Sequence, residues 1–121
     1  MDCSCTILRV RVIARKTLVK FVESLKGTND YKAVKTALDS WFYEVQASEW
    51  SSPADVKRSY GNASIVGEDR VVFNIKGNDY RLVVAVDYKR HIVFIKWLGS
   101  HRAYDAIDVK TVTYGHKTDQ E

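Results

Sequence analysis

Three side chains in the C-terminal third of the chain, Arg81, His101 and Tyr104, have the chemistry needed to hold and break a phosphodiester. An arginine offers two parallel N–H donors to phosphate oxygens, a geometry lysine cannot match. Cleavage of RNA by its own 2′-hydroxyl needs a base for that proton, an acid for the leaving 5′-oxygen, and cations for the charged phosphorane. Arg81 suits the clamp, and His101 or Tyr104 suits the proton transfers. Lys76 and Lys96 add point charge at neighbouring strand ends, and Lys57 with Arg58 adds two cations on a short helix. The mechanism calls for no metal and no cofactor. Each residue also has a plainer use. An arginine beside a turn is commonly solvated surface. A histidine after Gly99-Ser100 can cap a helix, and a tyrosine can pack in the core with its hydroxyl at the rim.

Positioning these groups requires strands. Ala63–Val66, Arg70–Lys76, Tyr80–Tyr88 and His91–Leu98 are short apolar, β-branched runs. Gly67-Glu68-Asp69, Gly77-Asn78-Asp79 and Lys89-Arg90 connect them so tightly that the runs must be antiparallel. Alternation puts Val71, Phe73 and Ile75 on one face, and Asn74 and Lys76 on the other. Arg81 then lies across the turn from Lys76, so both are expected on one open face with Lys96. Trp97 has the opposite parity to Lys96, so alternation gives it no place there.

Upstream, Thr6–Ala14 reads as a strand with one wet face. Leu18, Phe21, Val22 and Leu25 have helical spacing and end near Gly27. Asn29 or Asp30 can cap a second helix whose apolar stripe is Val34, Ala37, Leu38, Trp41, Phe42 and Val45. Ser52-Pro53-Ala54-Asp55 is a helix start, with Ser52 as cap. A last helical turn, Ser100–Ile107, is expected to pack Tyr104 or Ile107 back on the sheet. The expected order is β-α-α-α-β-β-β-β-α, an α+β fold. Its antiparallel sheet carries two to three N-terminal helices on one face and a short C-terminal helix.

At 121 residues the chain suits one domain, with a core of about residues 10–112 and a polar tail over 113–121. No apolar run approaches the ~20 residues of a membrane span, and Arg9 and Arg11 break any signal-like N-terminal segment. A cytoplasmic protein is the expectation. Cys3 and Cys5 with scattered His91, His101 and His116 do not make a zinc pattern, and the thiols are expected to be reduced. Net charge is +4. The window from Arg70 to Tyr104 holds seven basic residues against Asp79 and Asp87, with Glu68 and Asp69 just outside it. An anionic partner facing the sheet follows. Composition and spacing reach a basic α+β domain suited to nucleic acid, and stop there.

The block Val71-Val72-Phe73-Asn74-Ile75-Lys76-Gly77-Asn78-Asp79-Tyr80-Arg81-Leu82-Val83, followed by Val93-Phe94-Ile95 and by Gly99-Ser100-His101-Arg102-Ala103-Tyr104-Asp105, resembles the HigB-type toxins. These belong to type II toxin–antitoxin systems within the RelE-like superfamily. Arg11-Val12-Ile13-Ala14-Arg15 is similar to the family's opening strand, and Trp50–Lys57 to the segment before its third helix. The resemblance implies a ribosome-dependent mRNA endonuclease acting through the 2′-hydroxyl. It also implies neutralisation by a helix-turn-helix antitoxin encoded alongside, in a hetero-oligomer. Arg81, His101 and Tyr104 fall on matching motif positions, and Lys76 and Lys96 match less closely. Relatives usually begin at the residue aligned with Val10. Residues 1–9 are therefore expected to precede the true start, or else to lengthen the first strand. The alternative to an enzyme is a module that binds RNA or a partner without cleaving. Exposed aromatic residues on the sheet would favour that reading.

Overall fold

The computed structural model describes residues 10–77 and 79–113. Cys3, Cys5, His116, residues 6–9 of the expected Thr6–Ala14 strand, Asn78 and nearly all of the polar tail lie outside the described residues. The elements in chain order are β1 (Arg11–Ile13), α1 (Arg15–Ser24), α2 (Tyr31–Gln46) and α3 (Pro53–Ser59). There follow β2 (Ser64–Val66), β3 (Arg70–Ile75), β4 (Tyr80–Asp87), β5 (Ile92–Ser100) and α4 (His101–Tyr104). This is the expected α+β order, with the helices gathered before the main sheet.

β2 to β5 form an antiparallel meander, because each connection is too short for a crossover. The spatial order is β1-β5-β4-β3-β2. β1 departs from an all-antiparallel sheet: it runs parallel to β5, pairing Arg11 with Ile92 and Ile13 with Phe94. Three helices and three strands lie between β1 and β5, and that length of chain is ample for a parallel pairing. The sheet is therefore mixed.

One sheet face carries the apolar set expected from alternation. Val71, Phe73 and Ile75 of β3 meet Leu82 and Val84 of β4 and Val93, Ile95 and Leu98 of β5 in one buried cluster. α1 adds Leu18 and Val22, and α2 adds Val34, Leu38, Trp41 and Val45. Phe73 is the hub. The Trp50 ring stacks with it at 6.0 Å and 16°, and Trp41 and Tyr60 approach edge-on at 5.5 and 5.0 Å.

The helix starts differ in detail from the expected caps. Asp30 precedes α2, but its carboxylate makes no cap bond. It instead accepts from the Tyr80 hydroxyl at 2.7 Å. Ser52 precedes α3 without capping it; Asp55 accepts the Ser51 N–H at 2.8 Å. No helix among the described residues is long and apolar enough to cross a membrane.

The second sheet face is not open along its whole length. Val72, Val83 and Ala85 point away from the helices by alternation, yet all are buried. Arg70 shares their face and is only 9% exposed. Its Nη1 donates to the carbonyls of Val109 at 3.1 Å and Val112 at 2.8 Å. The chain after α4 therefore crosses back over this face towards the β2–β3 turn. What stays accessible is the end near Arg81, Trp97 and α4.

Candidate active site at the end of the sheet

Arg81 is the second residue of β4, opposite Asn74 of β3 and Gly99 of β5. Its guanidinium lies 5.7 Å from the centre of the Tyr104 ring, within cation–π range. Tyr104 is presented by α4, a single turn with a well-defined start. The Ser100 hydroxyl accepts the Ala103 N–H at 3.1 Å, and the His101 N–H donates to the Asp79 carbonyl at 2.8 Å. Ser100, not His101, is thus the cap. The turn is anchored at its first residue to the β3–β4 connection, and at its last it leans on the sheet.

Between these two elements lies Trp97, whose place strand alternation misassigned. Val83 pairs with Trp97 but Val84 pairs with Ile95, so the ladder skips Lys96. A β-bulge of this kind resets the parity of the residues beyond it. Trp97 consequently faces the same side as Arg81, and its ring centre is 6.3 Å from that of Tyr104. Lys96 leans the same way, with Nζ 5.6 Å from the centre of the Phe94 ring. Gly99 makes room for this arrangement: a Cβ there would sit 2.5 Å from two carbons of the Trp97 indole. The sequence signal for the bulge was weak, a single charged residue breaking the apolar run of β5.

Lys76 does not join Arg81 on that face, contrary to the expectation from alternation. The strand ends at Ile75, and Lys76 has a left-handed backbone, φ 54°. That turn swings its ammonium to the helix side. There it meets Asp79 at 2.7 Å and Asp30 at 3.5 Å. The bond from Asp79, with the nearby Asp30, holds the Lys76 ammonium above its ordinary range. The Tyr80 hydroxyl, and then Lys76, hold the Asp30 carboxyl below the usual carboxylate range. Burial, then Asp30, pushes Tyr80 up. His101 lines a shallow recess beside this group, with Asp30, Asp79, Tyr80, Ser100 and Arg102.

Lys57 and Arg58 are distant from all of this. Val56 of α3 is buried in the helix-side cluster, which places α3 on the side away from the Arg81 face. The Lys57 Nζ donates to the carbonyls of Gly61 at 2.9 Å and Ala63 at 2.7 Å, closing the loop into β2. Arg58 ion-pairs with Asp55 of its own helix.

The structure thus brings together Arg81, Tyr104 and Trp97, with Asn74 opposite Arg81; Lys96 reaches toward Phe94 instead, and His101 lies in the recess with Asp30 and Tyr80. The group combines a bidentate phosphate donor, a phenol and an indole on which a nucleobase can stack. A family model described as HigB toxin, RelE-like toxic component of a toxin–antitoxin system, matches residues 34–107. That stretch is shorter at both ends than the 10–112 expected from the motifs, and omits β1 and α1. Among curated proteins, none matches the chain significantly.

Proposed function

The chain belongs to the HigB toxin family, the RelE-like toxic components of toxin–antitoxin systems, and on that premise we propose that it is a ribosome-dependent mRNA endonuclease. Its partners in this reading are the translating ribosome with its message in the cytoplasm, and a helix-turn-helix antitoxin that neutralises it in a hetero-oligomer. The observation that carries the reading is the contact of Arg81 with Tyr104 beside Trp97.

In the proposed reaction the 2′-hydroxyl attacks the adjacent phosphorus and the bond to the 5′-oxygen breaks. Arg81 holds two phosphate oxygens and offsets the charge that grows on them. Trp97 stacks on a base flanking the scissile bond, which fixes the in-line geometry. Tyr104 and His101 move the protons, one taking that of the 2′-hydroxyl and the other supplying the leaving oxygen. Lys96 contributes charge at the rim. Lys76, Lys57 and Arg58 have intramolecular partners and leave the set of proposed RNA contacts.

The test is inducible expression without the partner gene, with 5′-end mapping of a translated reporter message. Wild type arrests growth and yields new 5′ ends that require translation. Arg81→Ala lowers cleavage ~10²-fold, and Arg81→Lys does not restore it, because one ammonium cannot replace the fork. Full activity in a folded Arg81→Ala protein sinks this site. RNA binding without new 5′ ends in the wild type points instead to the binding module, which Trp97 on the accessible face would also serve.

A further inference from the structure

The ladder between β2 and β3 stops short of the end of β3. It ends at Ser64 opposite Val72, so Phe73, Asn74 and Ile75 have no partner in β2. That length of β3 edge borders a notch, closed on its other side by the loop from α3 into β2. The loop contributes Tyr60, Gly61, Asn62 and Ala63, the strand contributes Phe73 and Asn74, and the volume is about 380 Å³. Such a volume lies within the ~300–1,000 Å³ of small-ligand sites.

The notch is built before anything enters it. The Lys57 ammonium donates to the carbonyls of Gly61 and Ala63, and the Ala63 N–H donates to the Tyr60 carbonyl at 3.0 Å. The Tyr60 ring packs edge-on against Phe73, and its hydroxyl donates to Glu44. The loop is therefore fixed to both the helix layer and the sheet. Two polar side chains are left uncommitted. Among the described residues, neither the Asn62 nor the Asn74 carboxamide has a hydrogen-bond partner.

The chemistry of the walls narrows the occupant. No charged side chain among the described residues lines the notch, so it suits neither a phosphate nor a cation. Tyr60 and Phe73 supply aromatic carbon, and each carboxamide supplies an acceptor and two donors. A flat group with donors and acceptors around its rim matches that set, and an unstacked nucleobase is such a group. Asn74 stands opposite Arg81 in the β3–β4 ladder, ~5 Å away. Trp97 belongs to β5, on the other side of Arg81. Across this end of the sheet the order is thus Trp97, Arg81, Asn74 and the notch.

We propose that the notch receives an unpaired base of the message, read by Asn62 and Asn74, on the opposite side of the scissile phosphate from the base on Trp97. The proposal rests on the mRNA endonuclease reading and adds to it a determinant of where the message is cut. An indole stacks on any base, because every base has a π-face. Hydrogen bonds to a base edge instead separate one base from another. Trp97 therefore fixes geometry, and the notch sets sequence.

The test is the distribution of cut sites rather than their number. Wild type and the Asn62→Ala, Asn74→Ala double variant are expressed without the partner gene, and new 5′ ends are mapped across translated messages. Wild type is expected to prefer one base about tenfold at a single position beside the cut, the discrimination of one good edge contact. In the double variant cleavage slows and that preference falls below about threefold. Slower cleavage with an unchanged distribution overturns the proposal, because a structural defect lowers every site alike. A wild type with no preference beside the cut overturns it too. Gly61→Leu leaves both carboxamides in place. A Cβ there meets no atom within 4 Å and its φ lies outside the left-handed region, so the fold accommodates a side chain at the notch. It is expected to alter the preference at the same position, and circular dichroism checks the fold of both variants. A wild-type distribution in Gly61→Leu counts against the notch.

Binding is read separately with 2′-O-methyl trinucleotides, which have no free 2′-hydroxyl and cannot be cut. The side-chain amide signals of Asn62 and Asn74 are expected to shift on titration, more for one base than for the others. Shifts confined to Arg81 and Trp97, or none at all, overturn the notch. A wild type that yields no new 5′ ends sinks the endonuclease reading, and the trinucleotide titration still judges the notch.

Discussion

Trp97 and Gly99 act as one unit. The indole lies across the glycine backbone, so Gly99→Ala places a methyl carbon 2.5 Å from the ring. Overpacking of this sort costs ~1–3 kcal/mol. The variant is expected to lose about that much in urea denaturation, and to lose cleavage even at low denaturant, because the displaced ring pushes on Tyr104. Trp97→Ala with Gly99→Ala removes the clash and recovers the stability without recovering cleavage. An unshifted urea midpoint for Gly99→Ala would refute the packing argument. Arg81 and Tyr104 were legible in the sequence, since turn spacing brought the start of β4 near the end of β5. Trp97 was not, because a one-residue bulge inverts parity locally and leaves almost no trace in composition. Lys76 was misread for a related reason: a left-handed residue at a strand end obeys the turn, not the alternation.

Among elements, the join between α2, the β3–β4 connection and α4 has a pH signature. The Asp30 carboxyl is held below the ordinary carboxylate range by the Tyr80 hydroxyl and by Lys76. A depressed carboxyl contributes stability that is fully present above its unfolded value, about 4. That contribution is lost as pH falls through the lower folded value. Tyr80 works in the opposite sense: raised by burial and by Asp30, it stabilises below about 10 and ceases to as pH rises through its folded value. Asp30→Asn is therefore expected to flatten the stability profile below pH ~4 and to shrink the alkaline loss, because a less-raised Tyr80 leaves a narrower window above about 10. Chemical denaturation at a series of pH values reads both limbs, and an unchanged profile would remove this join from the account. Helix stripes and the faces of β3 and β4 were legible because 3.6- and 2-residue periods survive packing, and the antiparallel run from β2 to β5 because its links are short. The caps were not: Asp30 is taken by Tyr80, a partner that only the tertiary fold supplies, and Ser52 makes no cap bond at the start of α3.

At the scale of the whole molecule, Arg70 ties the last described segment to the far side of the sheet. Its guanidinium is buried and donates to two carbonyls some forty residues later. Hydrogen bonds from a charged group are worth ~1.5–3 kcal/mol each way of counting, so Arg70→Met is expected to lose about 2–3 kcal/mol. Limited proteolysis should then cut residues 105–113 before the sheet unfolds. Cutting at the wild-type rate would show that the segment is held by something else. The sequence made Arg70 one of seven cations in the window from Arg70 to Tyr104, and a guanidinium spent on backbone carbonyls cannot be told from a free one by composition. The mixed sheet was hidden for a similar reason, since nothing in three residues of β1 announces which neighbour they will take.

Those three residues matter in another way. The two outermost strands, β1 and β2, are each only three residues long, while the strands between them have six to nine. A strand edge with few unpaired amides is a poor template for another chain. A small, strongly β-branched meander would otherwise be an aggregation hazard during synthesis, when its partner is still absent. Among the described residues, the stubby borders thus offer a second copy of the chain few amides to pair with.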